Sequence, residues 1–401
     1  MYNRQFNELN TPVYVIDENK LIHNLTILQN VEKRTGCHIL LAQKAFSAYS
    51  EYPLIGKYIS GTTASGLFEA KLGAECMGKE NHVFAPAFTQ SDMKELVKIC
   101  DHIVFNSINQ LKLHKNTCLD AGVSIGLRIN PEISTQGEHA IYDPCSPGSR
   151  FGVTHSKLTQ ALMADPDILK GVSGLHFHTL CEQNSDDLLT TLNVVEEKFG
   201  FLMNNMQWIN FGGGHHITRD DYDIDTLVHC IQHVQNTYNV TVYLEPGEAI
   251  ALNAGYLIST VLDKVENDIT TLILDSSAAC HMPDVLEMPY TPPLRGAKAL
   301  ERFELTNNLI HKEPDNGNSS TPHCYRLSSY TCLAGDIIGD YEFDHEINTC
   351  DRLVFEDMAI YSMVKNNTFN GIPLPDIAVM DTDGNCRVIR HFGYEDFKSR
   401  L

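Results

Sequence analysis

Lys44 stands in the run Leu41-Ala-Gln-Lys-Ala-Phe-Ser47, where a long polar side chain follows an apolar, strand-like stretch. An amine held at such a strand end loses solvent, its pKa falls, and the neutral form becomes a nucleophile toward an aldehyde. By itself the motif also fits an ordinary strand-end lysine reaching water. Phe211-Gly-Gly-Gly-His215 offers backbone N–H groups that can approach a phosphate with no side chains in the way, or a flexible turn. It is neither a Walker A loop nor the dinucleotide fingerprint. Leu244-Glu-Pro-Gly-Glu-Ala249 sets two carboxylates around a strand end. A carboxylate facing a pyridine nitrogen keeps it protonated, so that the ring can absorb the electrons of a carbanion; the plain alternative is a solvated turn. His176 and His178 flank Phe177, and only one of them is expected to point into a site, where a flat imidazole could stack on an aromatic cofactor. His176 reads as the structural, hydrogen-bonded member of the two.

These residues need a frame that gathers distant strand ends. Short apolar runs alternate with helical patterns: Thr11–Asp17, a helix through Leu21, Leu25, Leu28 and Val31, then His38–Gln43, Gly61–Ser65, His82–Pro86, His102–Phe105, Val123–Ile129, Gly174–His178, Trp208–Phe211 and Val240–Glu245. That rhythm predicts a parallel β/α barrel or a doubly wound sheet. Polar strand ends favour a (β/α)8 TIM-like barrel, with Lys44, His178, Gly212 and Glu245 converging at its C-terminal mouth. From about Gly255, β-branched runs (Tyr256–Val265, Thr270–Leu274, Arg352–Phe355, Ile377–Met380) predict a C-terminal β domain. The expected division is an N-terminal strand in 1–20 joining the β domain, the barrel in 21–254, and the β domain in 255–401. The stretch 310–322 is expected as an exposed, turn-rich loop.

With 51 acidic against 30 basic residues, the chain carries a formal charge of −21. Such a field repels nucleic acid and anionic lipid and draws in a cationic small molecule, though acidity also simply keeps a cytoplasmic protein soluble. Twelve cysteines without a C-x-x-C pair argue against a zinc ribbon or a disulfide framework and for reduced thiols, with no metal expected. A polar N-terminus and the lack of any run of about 18 apolar residues predict neither signal peptide nor membrane anchor.

Taken in order, Ala42-Gln-Lys44, Leu127-Arg-Ile-Asn-Pro131, Ser149-Arg-Phe-Gly152, His176-Phe-His178, Gly212-Gly-Gly214, Glu245-Pro-Gly247, Cys332-Leu-Ala-Gly-Asp336 and Tyr361 followed by Phe369-Asn-Gly371 form a pattern over nearly the whole chain. It resembles the alanine-racemase-like, fold type III decarboxylases, which use pyridoxal 5′-phosphate on ornithine, diaminopimelate and arginine. Within that group the runs 176–183, 245–248, 275–284 and 332–336 are similar to the carboxynorspermidine (carboxyspermidine) decarboxylases.

The resemblance implies that Lys44 carries the cofactor, that His178 stacks on its ring, and that Glu245 pairs with the ring nitrogen. Gly212, Gly213, Gly214 and Tyr361 would hold the phosphate, and Arg128 would brace the barrel side of the site. Cys332 would reach the site from a partner subunit and manage protonation of the α-carbon, with Asp336 as the accompanying substrate-side carboxylate. A homodimer with shared active sites is therefore expected. Two positions depart from the ornithine and diaminopimelate pattern: Glu248 replaces an arginine, and Leu333 replaces an acidic residue. Both fit a longer, polycationic amino acid, with Glu248 and Asp284 each pairing with one cation. The expected reaction is decarboxylation of carboxynorspermidine or carboxyspermidine. The alternatives are an ornithine, lysine or diaminopimelate decarboxylase of the same fold, a catalytically dead binding protein, and a single-barrel cofactor-homeostasis protein. Intact Lys44, Cys332 and Asp336 count against the dead relative, and the C-terminal domain counts against the single barrel.

Overall fold

The computed structural model describes residues 4–137, 143–301, 303–310 and 323–401. Of the loop expected at 310–322, all but the first residue lies outside them. The chain divides into two units, one of Ile22–Ile250 and one of Met1–Leu21 with Ala251–Leu401.

After β1 (Val13–Asp17), which belongs to the second unit, the chain enters β2 (His38–Ala42), β3 (Gly61–Ala64), β4 (Glu80–Ala85), β5 (His102–Phe105) and β6 (Ser124–Asn130). A two-residue strand, β7 (Val153–Thr154), pairs only with β6; β8 (Gly174–His176), β9 (Trp208–Asn210) and β10 (Thr241–Leu244) follow. Without β7, the other eight form a closed parallel ring in the order β2-β3-β4-β5-β6-β8-β9-β10, with β10 pairing back onto β2. This is the expected barrel.

The intervening helices carry their own start and stop signals. Helix Ser185–Met203 is N-capped by Asn184, whose side chain accepts from the Ser185 amide, and Asp186 and Asp187 lie in its first turn. Carboxylates there meet the positive end of the helix dipole. Its buried residues Leu188, Leu192, Val195, Phe199 and Leu202 recur at three- and four-residue spacing, which gives one apolar face. Helix Ile224–Tyr238 is capped by Asp223 and stops at Asn239, in the left-handed conformation at φ 54°.

Inside the ring, the single tryptophan sets the packing. Gly126, Gly174 and Trp208 are register partners on β6, β8 and β9. A Cβ on Gly126 would lie 2.4 Å from the indole, and one on Gly174 2.0 Å from it, so both glycines make room for the ring. Trp208 Nε1 donates to Ser124 Oγ at 2.9 Å, and the indole packs with Leu40, Val104 and Tyr243. Toward the N-terminal strand ends the interior turns polar. His38 Nδ1 and His82 Nε2 lie 2.7 and 2.9 Å from the two oxygens of Glu80, and His102 stacks between His82 and Trp208.

The second unit is a nine-stranded mixed sheet. Its further strands are β11 (Gly255–Asn267), β12 (Ile269–Leu274), β13 (Ala297–Ala299), β14 (His323–Ser329), β15 (Ile337–Phe343), β16 (Arg352–Glu356), β17 (Asp376–Met380) and β18 (Cys386–Arg390). The order is β13-β15-β14-β12-β11-β1-β17-β18, with β16 also on β11. β1 runs antiparallel to β11 and parallel to β17, so the first strand of the chain lies inside this sheet. Leu257, Val261, Leu272, Leu327, Tyr341 and Phe355 form part of its core. Among the described residues, no helix is long and apolar enough to cross a membrane.

Candidate active site

Four segments that leave the C-terminal strand ends of the barrel meet: Lys44 two residues beyond β2, His178 two beyond β8, Gly212–Gly214 beyond β9, and Glu245 directly after β10. Arg128 joins them from within β6. Their mutual contacts hold the mouth together. The Glu245 amide donates to Gly212 O at 2.8 Å, the Gly213 amide to His178 Nδ1 at 3.3 Å, and Arg128 NH2 to the His178 carbonyl at 3.1 Å.

Glu245 is the best-anchored of these groups. His176 Nε2 lies 3.1 Å from Oε2, and Asn210 Nδ2 donates to Oε1 at 2.9 Å, while Asn210 Oδ1 accepts the Gly212 amide at 2.8 Å. Burial alone would raise the Glu245 carboxyl; His176, His82 and Asn210 outweigh it and hold the group at about 2. Glu245 is thus a buried carboxylate that stays ionised across the physiological range. Asn210 went unnoticed in the sequence. The signal for it was alternation, because Trp208 and Asn210 share the inward face of β9.

The expectation that only one of His176 and His178 would serve the site is corrected, because residues two apart on a strand share a face. His176 holds Glu245 and stacks on Phe84 at 5.4 Å. His178, just past the strand, is pushed well below the usual histidine range by burial and then by Lys44 and Arg128, so it is neutral. With Nδ1 accepting from Gly213, its proton sits on Nε2.

Lys44 is accessible at the mouth, yet the surrounding protein lowers its pKa, and the Arg128 guanidinium lowers it further. Glu245 acts in the opposite direction. Arg128 itself lies between the rings of Phe84 and Phe151, each 4.6 Å from its guanidinium carbon, and burial lowers its pKa to about 10. It is a fixed cation with apolar walls.

The glycine run is pressed against its neighbours. Gly212 and Gly214 have φ of 71° and 81°, and a Cβ on Gly214 would lie 2.0 Å from Leu180 O. The Gly212 and Gly213 amides already have partners within the chain, so a phosphate would compete with Asn210 Oδ1 and His178 Nδ1 for them. Just beyond, His216 Nε2 lies 3.3 Å from Glu248 Oε1, and Glu182 brings a second carboxylate into the same cluster.

In the sheet unit, Cys332 is exposed and Tyr361 is half-buried with φ 49°. Asp284 is paired with Lys365, which also meets Glu287. Both carboxylates expected to meet substrate cations, Glu248 and Asp284, therefore already face basic groups of the chain. Asp336, expected as a substrate-side carboxylate, is only 1% exposed, and its oxygens accept from four donors of its own unit.

The chain matches, over residues 13–359, the model of a family described as pyridoxal-dependent decarboxylase, C-terminal sheet domain. It is 39% identical over 395 residues to a carboxynorspermidine/carboxyspermidine decarboxylase of Campylobacter jejuni, covering 98% of this chain and 99% of the relative. To a carboxyaminopropylagmatine decarboxylase of Synechocystis it is 38% identical over 401 residues, covering 100% and 97%. The crystal structure of carboxynorspermidine decarboxylase from Campylobacter jejuni complexed with norspermidine superposes with a TM-score of 0.86 at 38% identity, over 98% of this chain and all of that one.

Proposed function

Because the chain belongs to the pyridoxal-dependent decarboxylases, and is a carboxy-lyase that works with pyridoxal 5′-phosphate, we propose that it decarboxylates carboxynorspermidine or carboxyspermidine in polyamine biosynthesis. Near-full-length identity to enzymes so described carries this reading.

The residues fit the cofactor. When bound, it supplies a protonated pyridine ring as the sink for the electrons left behind by departing carbon dioxide. Lys44, accessible and with its pKa lowered, is the amine for covalent attachment. Glu245 keeps the ring nitrogen protonated because it remains ionised itself, with His176 and Asn210 fixing its two oxygens. Neutral His178 would offer the ring a flat, uncharged face. The glycine run and, as the family resemblance implies, Tyr361 would hold the phosphate, and Arg128 braces the His178 backbone. Cys332 delivers a proton to the α-carbon, reaching the site from the partner in a cytoplasmic homodimer. Its position in an exposed loop favours that assignment.

Glu248 and Asp284 then meet the polycationic tail as carboxylates already partnered by His216 and Lys365 rather than as free anions. The substrate's internal secondary amine is the group that separates it from ornithine or diaminopimelate. A second reading, carboxyaminopropylagmatine, is favoured by the 38% identity to the Synechocystis enzyme. Carbon dioxide release should be measured with these three substrates and with ornithine, lysine and diaminopimelate. The highest kcat/KM is expected for carboxynorspermidine or carboxyspermidine; faster turnover of ornithine, lysine or diaminopimelate would overturn the assignment, and preference for the guanidino compound would install the second reading.

A further inference from the structure

What encloses Asp336 points to a different task for it. Ser277 Oγ, Ser329 Oγ and Thr331 Oγ1 donate to Oδ2 at 2.6, 2.5 and 2.6 Å, and the Ala279 amide donates to Oδ1 at 3.1 Å. A carboxylate this deeply buried is tolerated only with such a full set of donors. They come from two segments, the turn at 277–279 and the end of β14 at 329–331, so the charge ties these together. A third segment is sewn to the first: the Asn367 amide donates to Cys280 O at 2.9 Å, and Asn367 Nδ2 to Ala279 O at 2.8 Å. This third segment ends at Asn370, in the left-handed conformation at φ 57°, whose Oδ1 accepts the Cys332 amide at 2.7 Å.

Within its own chain, the loop between these ties has no packing. Residues 332–335 are all exposed, Leu333 included, and the turn is closed by the Asp336 amide on Leu333 O at 2.9 Å. A loop without core contacts is placed only by what holds its ends. Here Thr331, directly before the cysteine, is held by Asp336, and the cysteine amide is held by Asn370. We propose that Asp336 and Asn370 are positioning residues that together fix the backbone of Cys332, Asp336 by binding the entry to the loop and Asn370 by capping the cysteine's own amide.

The inference rests on the reading of Cys332 as the group that handles the α-carbon proton. Proton delivery demands placement to about half an ångström, which an untethered loop does not give. The two ties also divide the labour: losing Asp336 unties two segments at once, whereas losing the Asn370 side chain frees only the cysteine amide.

Asn370 therefore carries the test, since replacing Asp336 disturbs more than the loop. Asn370 is exposed, and glycine adopts its left-handed conformation without strain, so Asn370→Gly removes the acceptor and little else. Steady-state kinetics should be run on the full-length holoenzyme and on Asn370→Gly, Asn370→Asp, Cys332→Ala and the double variant Cys332→Ala/Asn370→Gly. Asn370→Gly should lower kcat about three- to tenfold, as expected for one hydrogen bond, with KM unchanged. Asn370→Asp, which keeps an acceptor oxygen, should recover the parent rate. In the Cys332→Ala background Asn370→Gly should cost nothing more. If Cys332→Ala is impaired but Asn370→Gly costs the same in both backgrounds, Asn370 acts elsewhere and this inference alone fails. If Cys332→Ala turns over at the parent rate, the role given to the cysteine fails as well.

Discussion

At the scale of single residues, the site keeps opposite charges apart with fixed identities. Glu245 stays anionic because His176 and Asn210 occupy its two oxygens, and Lys44 is pushed toward the neutral amine by the protein around it and by Arg128. The second effect has a testable sign. A cation beside an amine lowers its pKa, so removing that cation lets the pKa rise, and more of the amine is protonated at a given pH. Recapture of pyridoxal 5′-phosphate by apoenzyme, followed by its visible absorbance, should thus shift to higher pH in Arg128→Met, on the order of one pH unit. Methionine keeps apolar bulk between Phe84 and Phe151. An unchanged profile would assign the lowered pKa to the rest of the surrounding protein. Much of this site was legible in the sequence, because each motif follows directly after an apolar run. The true role of Asp336 was not: its donors at 277, 279, 329 and 331 belong to segments separated by some fifty residues, and no local pattern announces that they meet.

Among the elements, the barrel strands were readable to within a residue or two because each is short, apolar and bounded by helical signals. Their ends were less so. The runs expected to extend to His178, Phe211 and Glu245 stop at His176, Asn210 and Leu244, where the backbone turns out of the sheet to present the functional group. The glycines of β6 and β8 posed the opposite difficulty, since glycine weakens a strand and nothing nearby in the sequence explains it. Their reason is Trp208 on β9, next to β8 and two strands from β6. Gly174→Ala would place a methyl against the indole and should lower stability by about 1–3 kcal/mol, measured by urea titration. Combining it with Trp208→Leu should restore part of that loss. A penalty unaltered by shrinking the tryptophan would mean that the glycine serves strand geometry instead.

For the whole molecule, two expectations concern assembly and charge. If Lys44 and Cys332 of one site come from different subunits, mixing inactive Lys44→Ala with strongly impaired Cys332→Ala under conditions that allow exchange should regenerate one complete site per mixed dimer, raising activity toward about a quarter of the parental value. No recovery despite demonstrated exchange would place both residues in one subunit. The charge of −21 should draw in a polycationic substrate, so kcat/KM should fall several-fold as ionic strength rises while kcat holds nearly steady. A salt-independent kcat/KM would restrict recognition to the immediate pocket.

The placement of β1 inside the sheet unit also bears on how the molecule is made. Val13, Val15 and Ile16 are buried in the finished protein, but Ile16 pairs with Gly255 and Val13 with Asp376. On a ribosome adding about 5–20 residues per second, this apolar strand leaves the exit tunnel ahead of both partners and waits on the order of ten seconds or more for the first of them. The whole barrel can be synthesised in that interval. During translation this strand is thus an unmatched sticky end, open to a nascent-chain chaperone and to premature pairing between two growing chains.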